Sequence, residues 1–384
     1  MSRDAKQALA LIATAVVLSM TTWFSASAVL PQLREEWALG DTAAAWLTIA
    51  VQLGFVAGAV VSSLLNLADV GAARHLIAAG SAGAAAANLG LLAADGPELA
   101  LPLRFATGMC LAGVYPPALK LMATWFQRGR GAALGVLVGA LTLGSAAPHL
   151  VNGLGGADWR GVVVATSALT AAGGALVLLA VREGPFAFPR ARFDPRQAGR
   201  VFRNRGVRLA SLGYFGHMWE LYAMWAWFLV FARTVWDDTA AAFATFAVVG
   251  AGAAGCVAAG VVADRVGRAE TTAACMAVSG AAAVAIGLVP PWLVLPLGLV
   301  WGVAVVADSA QFSTLVTEHA DQAYVGTALT LQLAVGFTLT VATIWLVPYA
   351  VAAVGWRWAF SLLALGPALG IVAMLRLRRT AAAA

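Results

Sequence analysis

The chain has 384 residues, 61% of them hydrophobic and only 11% charged, with a formal net charge of +6 and a mean hydropathy of +0.84. A soluble globular chain is about 25% charged, so these few charges cannot cover a water-facing surface, and most of the surface must face lipid. The basic excess does not mark a nucleic-acid binder either, because the arginines flank apolar runs instead of gathering on one polar face.

A bilayer core about 30 Å thick takes roughly 20 apolar residues of helix per crossing, and only helices or closed barrels satisfy their backbone there. Long runs rich in Ala and Leu predict helices, since a barrel would alternate over segments of about ten residues. Twelve spans are predicted in chain order, at 7–30, 43–66, 76–94, 98–121, 131–152, 161–181, 207–231, 240–263, 270–289, 292–316, 323–349 and 355–376. Turn chemistry marks the breaks between them, at Pro31, Asp95-Gly96-Pro97, Gly155-Gly156-Ala157-Asp158, Asp237-Asp238 and Pro290-Pro291. The first run follows Arg3 and Lys6 and contains Ser25-Ala26-Ser27-Ala28, which resembles a signal-peptidase site. It continues past 20 residues and opens a series of similar runs, so it reads as span 1. Cys110, Cys256 and Cys275 all fall inside apolar runs without CxxC spacing, and they read as buried thiols.

The distribution of Lys and Arg sets the orientation. With the N-terminus inside, 18 of the 24 basic residues lie on the inner side. Arg34, Arg160, Arg233 and Arg357 lie outside, and Arg104 and Lys120 lie within spans. Both termini are therefore expected in the cytoplasm, in a multi-pass protein of a bacterial-type inner (plasma) membrane. Residues 182–206 are the longest polar stretch and hold Pro185, Pro189 and Pro195. They read as a cytoplasmic connector between six-helix bundles at 1–181 and 207–384, with arginines suited to anionic headgroups. Two markers repeat at nearly one offset: Asp69 and Asp264 are 195 residues apart, and Arg160 and Arg357 are 197 apart. Duplicated halves are a common build of secondary transporters, with the site between them near the midplane.

At these residues the chain resembles the major facilitator superfamily over essentially its full length. GVVADRVGR (Gly260 to Arg268) is similar to that family's signature loop between spans 8 and 9. Its first-half copy is NLADVGAARHL (Asn66 to Leu76), LRFATGMCLAGVYPPA (Leu103 to Ala118) resembles the fourth helix, and the Trp125 to Gly135 run resembles the loop between spans 4 and 5. The resemblance implies an all-α membrane protein of twelve transmembrane helices in two six-helix bundles related by pseudo-two-fold symmetry. It also implies a gating role for Asp69, Arg74, Asp264, Arg265 and Arg268, which the bare residues fit equally well as topology determinants. Gly131, Gly135 and Gly139 form a small-residue stripe on span 5, suited to close helix approach. Gly135, Gly144 and Pro148 resemble the span-5 motif of drug antiporters, but His149 and Asn152-Gly153 depart from it.

Ionisable groups inside spans cost about 2.5–3.5 kcal/mol at a helix centre and default to functional candidates. Away from the span ends there are three charges, Arg104 on span 4, Glu220 on span 7 and Asp308 on span 10, with His217 one turn before Glu220. The resemblance implies that spans 1, 4, 7 and 10 line the central cavity. Glu220 lies about 20 Å from the inner end of span 7, near the midplane, and is the first choice for proton coupling. His217 at i−3 is placed to relay the proton, and Asp308 is a second candidate. Arg104 is read as an anion site or as a charge that balances Glu220, and the resemblance implies a role near proton transfer. Each also fits a structural role: a helix–helix hydrogen bond for the acids, an outward-reaching side chain for the arginine. Thr22 and Trp23 on span 1, Tyr115 on span 4, Trp227 on span 7 and Gln311 one turn after Asp308 are the remaining candidate substrate contacts.

The expected function is therefore secondary active transport of a small solute by alternating access, coupled to protons as a symporter or antiporter, in a monomer without a cofactor or metal. One cation and two carboxylates suit a small organic anion or zwitterion, and they also suit an amphipathic cation exported against protons. A non-transporting sensor is the other alternative, although no loop reaches 30 residues. A membrane enzyme lacks support, because no HExxH motif is present and the four histidines are far apart in sequence.

Overall fold

The structure, a computed structural model, describes residues 3–65, 67, 72–126, 130–155, 158–186, 199, 202–321 and 325–381. All regular structure among the described residues is helical. Among the described residues, nine segments are long and apolar enough to cross a bilayer: Arg3–Thr22, Asp41–Leu64, Ala73–Ala93, Gly131–Gly155, Trp159–Ala180, Asp238–Val266, Pro291–His319, Val325–Val354 and Trp356–Arg379. Three further helical stretches complete the twelve in sequence order. They are the broken span 4 (Pro97–Leu111 and Tyr115–Ala123), span 7 (Arg205–Ala232) and span 9 (Arg268–Ala285).

Helix starts follow local chemistry. Pro97 and Pro291 occupy first positions, where a missing N–H costs nothing. Asp41 and Asp238 place negative charge at the positive end of a helix dipole. Asp158 caps span 6 by accepting from the Arg160 backbone N–H at 3.4 Å.

Spans 1, 4, 10 and 12 are interrupted, whereas span 7 runs unbroken. Span 1 passes from Arg3–Ser19 into a 3₁₀ turn at Met20–Thr22 and then the short helix Ser25–Ala28, and the helix Leu30–Glu36 follows at its outer end, beyond the span. Span 4 breaks between Leu111 and Tyr115 because Pro116 and Pro117 have no N–H to offer the carbonyls of Ala112 and Gly113. Span 10 divides at Asp308, between Pro291–Ala307 and Ser309–His319. A break inside a membrane frees backbone carbonyls that protein groups must satisfy.

By internal contacts the chain forms two compact units: Met1–Pro189 with Ala226–Gly250, and Arg190–Trp225 with Ala251–Ala384. In the first, spans 2 and 4 meet backbone to backbone. A Cβ at Gly54 would run into the Phe105 carbonyl, and one at Gly108 into the Val51 carbonyl. In the second, Gly255 of span 8 packs against the Val303 carbonyl of span 10, and Gly216 of span 7 against the Gly366 carbonyl of span 12.

Candidate functional site

The first unit holds its buried cation at the break in span 1. Arg104 is fully buried, and all three of its guanidinium nitrogens are engaged. Nε donates to the Leu47 carbonyl at 3.2 Å. Nη1 donates to the Thr22 carbonyl at 2.9 Å, the Ser25 hydroxyl at 3.1 Å and the Asn88 side-chain carbonyl at 3.2 Å. Nη2 donates to the Trp23 carbonyl. No carboxylate pairs with it among the described residues, so neutral oxygen dipoles hold the charge. Unwinding of span 1 exposes the Thr22 and Trp23 carbonyls, and the guanidinium fork joins them to the Leu47 carbonyl of span 2 as a single-point ammonium could not.

Asn88 extends this polar core. It accepts from Ser25 Oγ at 2.6 Å and donates to Ser167 Oγ at 2.9 Å and Thr166 Oγ1 at 3.2 Å. The hydroxyls of Thr21 and Thr170 (3.1 Å) and of Ser19 and Ser81 (3.0 Å) continue it between spans 1, 3 and 6. Thr22 and Trp23 are buried here, the Trp23 ring lying 4.8 Å from that of Phe55. Tyr115 opens the second half of span 4 and is half-buried.

The second unit holds the acids. His217 on span 7 places Nδ1 2.9 Å from Asp308 Oδ1 and Nε2 2.8 Å from Ser309 Oγ. The Nδ1 contact lacks good hydrogen-bond direction, and Asp308 Oδ1 has no directed hydrogen bond among the described residues. Asp308 is 1% exposed and His217 3%. The Phe312 ring lies 5.3 Å from the His217 ring and the Tyr214 ring 6.1 Å from it, so the pair is walled by aromatics. Glu220 is bound separately, accepting from Trp301 Nε1 at 2.7 Å and Ser279 Oγ at 2.8 Å. His217 and Glu220, one turn apart, thus have different hydrogen-bond partners. A protonated His217 donates at both nitrogens; a neutral one donates at one and accepts at the other. A proton at His217 therefore changes its bonds to both residues of the span 10 break.

Gln311 is buried, and its carbonyl accepts from Arg268 Nη1 at 2.9 Å. Arg268 also pairs with Glu318 at 2.9 Å and Asp264 at 3.4 Å. The signature loop thus ties the end of span 8 to the second half of span 10. Arg265 is exposed and has no ion-pair partner among the described residues. In the first half, Arg74 lies in the first turn of span 3, and Asp69 lies outside the described residues. Trp227 is buried and falls in the first unit by residue range, whereas His217 and Glu220 fall in the second. Among the described residues no His, Cys, Asp and Glu cluster suits a metal.

Beyond the spans, Glu36 accepts from Trp159 Nε1 and Arg160 Nη2, both at 2.6 Å. The hydrogen bond from Arg160, with that from Trp159 behind it, holds the Glu36 carboxyl below its ordinary pKa. Sequence reasoning missed Asn88, Ser279, Trp301, Ser309 and Glu318. A lone carboxamide in the Ala-rich run of span 3 was the available signal for Asn88; the others had none.

Twelve helical spans with charges on spans 4, 7 and 10 have their counterpart in a known family. The sequence model of the Major Facilitator Superfamily matches residues 12–339. The chain belongs to this family. Among solved structures, the crystal structure of a bacterial homologue of the human lysosomal transporter Spinster, inward-facing and unoccupied, superposes with a TM-score of 0.68. It is 16% identical and covers 99% of this chain and 93% of its own. At that identity the likeness carries the fold alone. No curated protein matches the chain. Membership of the superfamily indicates a multi-pass membrane transporter of small molecules, not an enzyme.

Proposed function

We propose that this superfamily member is a proton-coupled secondary transporter working by alternating access, with both termini in the cytoplasm, and that it exchanges an amphipathic organic cation for protons. The observation that carries the reading is the His217–Asp308–Ser309 cluster. There a buried carboxylate with one undirected oxygen sits beside an imidazole and two aromatic rings, at a helix break. A carboxylate among aromatics offers charge and π-faces to a lipophilic cation, and the same carboxylate and imidazole can take up a proton in its place.

The organic-anion reading rests on Arg104, the cation buried within a span. Its nitrogens already hold five oxygens, three of them backbone carbonyls, and it would have to give up these bonds if it turned to a substrate. That observation favours the cation reading over the anion or zwitterion.

The test is flux in proteoliposomes under an imposed proton gradient, with tetraphenylphosphonium as the lipophilic cation. Accumulation should follow the size of the pH gradient and collapse when a protonophore is added. Accumulation driven equally well without a gradient would remove the coupling. A cation that stays out while an organic anion moves would return the substrate to the anion class, and a membrane silent to every solute tested would leave a sensor.

A further inference from the structure

Beyond transport, we propose that the second unit carries a binding site for an anionic phospholipid of the surrounding bilayer, in the groove between spans 7 and 12. The groove has a volume of about 430 Å³. Its floor is the crossing of Gly216 and Gly366, where a Cβ on either residue would strike the other's carbonyl. With no side chains on the floor, the flanking leucines stand as walls. Leu212, Leu365 and Leu369 line it and are 48%, 56% and 72% exposed, so the slot opens outward from the unit.

The two helices run antiparallel along it. Trp219 donates its indole N–H to the Leu362 carbonyl at one end, and Leu209 and Arg376 line the other. From Trp219 to Leu209 is ten residues, about 15 Å of helix. Leu212, Phe215, Gly216 and Trp219 form one stripe of span 7 at helical spacing, and His217 and Glu220 face other neighbours, so the groove is separate from the acid site.

The occupant follows from the unequal ends. The walls are apolar along the whole length, and the lining holds one charged residue, Arg376, at the end where the chain's last arginines gather. Arg378 is paired with Glu270 at 3.0 Å, and Arg205 and Arg208 stand in the first turn of span 7, outside the lining. An acyl chain fits the slot and a phosphate fits the guanidinium end. A helix from a second copy would meet the apolar stripe but gain nothing from the cation. Exposed guanidinium at the rim of an apolar trench is the complement of an anionic amphiphile.

Native mass spectrometry of the purified chain, titrated with phosphatidylglycerol or phosphatidylcholine of matched chains, tests this. The parent should bind phosphatidylglycerol about fivefold more tightly, the scale set by one basic residue at a membrane surface. Arg376→Gln should erase that preference while phosphatidylcholine still binds. Leu369→Trp, filling the slot, should weaken both lipids. Both positions are exposed, so neither change disturbs the packed interior. Equal affinity of the parent for the two lipids would overturn the proposal, as would an unchanged preference in Arg376→Gln. So would a dimer that Leu369→Trp dissociates without altering lipid binding, which would give the groove to a second copy.

Discussion

The two units bury charge in opposite ways. The first encloses one guanidinium and surrounds it with carbonyls, hydroxyls and a carboxamide, without a carboxylate among the described residues. The second encloses two carboxylates and an imidazole, without a buried guanidinium among the described residues. Arginine does not give up its proton in proteins, so the first arrangement is a permanent charge serving as a brace for a broken helix. The buried acids of the second unit are the groups to which the proposed coupling is assigned. The first unit also buries an imidazole, His149, so what separates the two is the sign of the buried ions and not the presence of a titratable group.

That division can be broken most severely at Arg104. Arg104→Ala removes the buried donor from five oxygens inside the bundle, at about 1–3 kcal/mol for each acceptor left unpaired. A drop in thermal midpoint and in the yield of monodisperse protein should follow. Arg104→Lys should recover only part, because one ammonium cannot reach carbonyls on both span 1 and span 2. Wild-type stability with altered substrate affinity in Arg104→Ala would instead make the arginine a binding residue. The smallest effect is expected at Glu36, outside the spans. Its carboxyl is held below the ordinary value by Arg160, so the latch contributes at pH values above the unfolded carboxylate range and is lost as pH falls through the lowered value. Thermal melts of the parent and Glu36→Gln should therefore differ slightly near neutral pH and converge in strong acid. A gap that widens on acidification would show that the sign is wrong.

How far the sequence could be read differs between these levels. Span positions were legible because hydropathy and turn residues are local: the predicted 43–66 and 240–263 correspond to Asp41–Leu64 and Asp238–Val266. The charges on spans 4, 7 and 10 were legible because each stands out in an apolar run. Their partners were not. His217 and Glu220 share a face by spacing, yet one meets Asp308 and Ser309 and the other Trp301 and Ser279, choices made by helices about 60–90 residues away. Arg104 was harder still, because most of its partners are backbone carbonyls, and a carbonyl freed by an interrupted helix carries no mark in the sequence. The break in span 4 had one, Pro116-Pro117, but those in spans 1 and 10 had none.

If the acids of the second unit couple solute movement to protons as proposed, neutralising them separates coupling from permeation. Asp308→Asn and Glu220→Gln should be reconstituted beside the parent. Gradient-driven accumulation of tetraphenylphosphonium should be measured together with exchange of labelled for unlabelled cation at equal pH on both sides. The account predicts that both variants lose uphill accumulation, keep measurable exchange and melt close to the parent. Uphill accumulation at the parental rate and extent in both variants would contradict it.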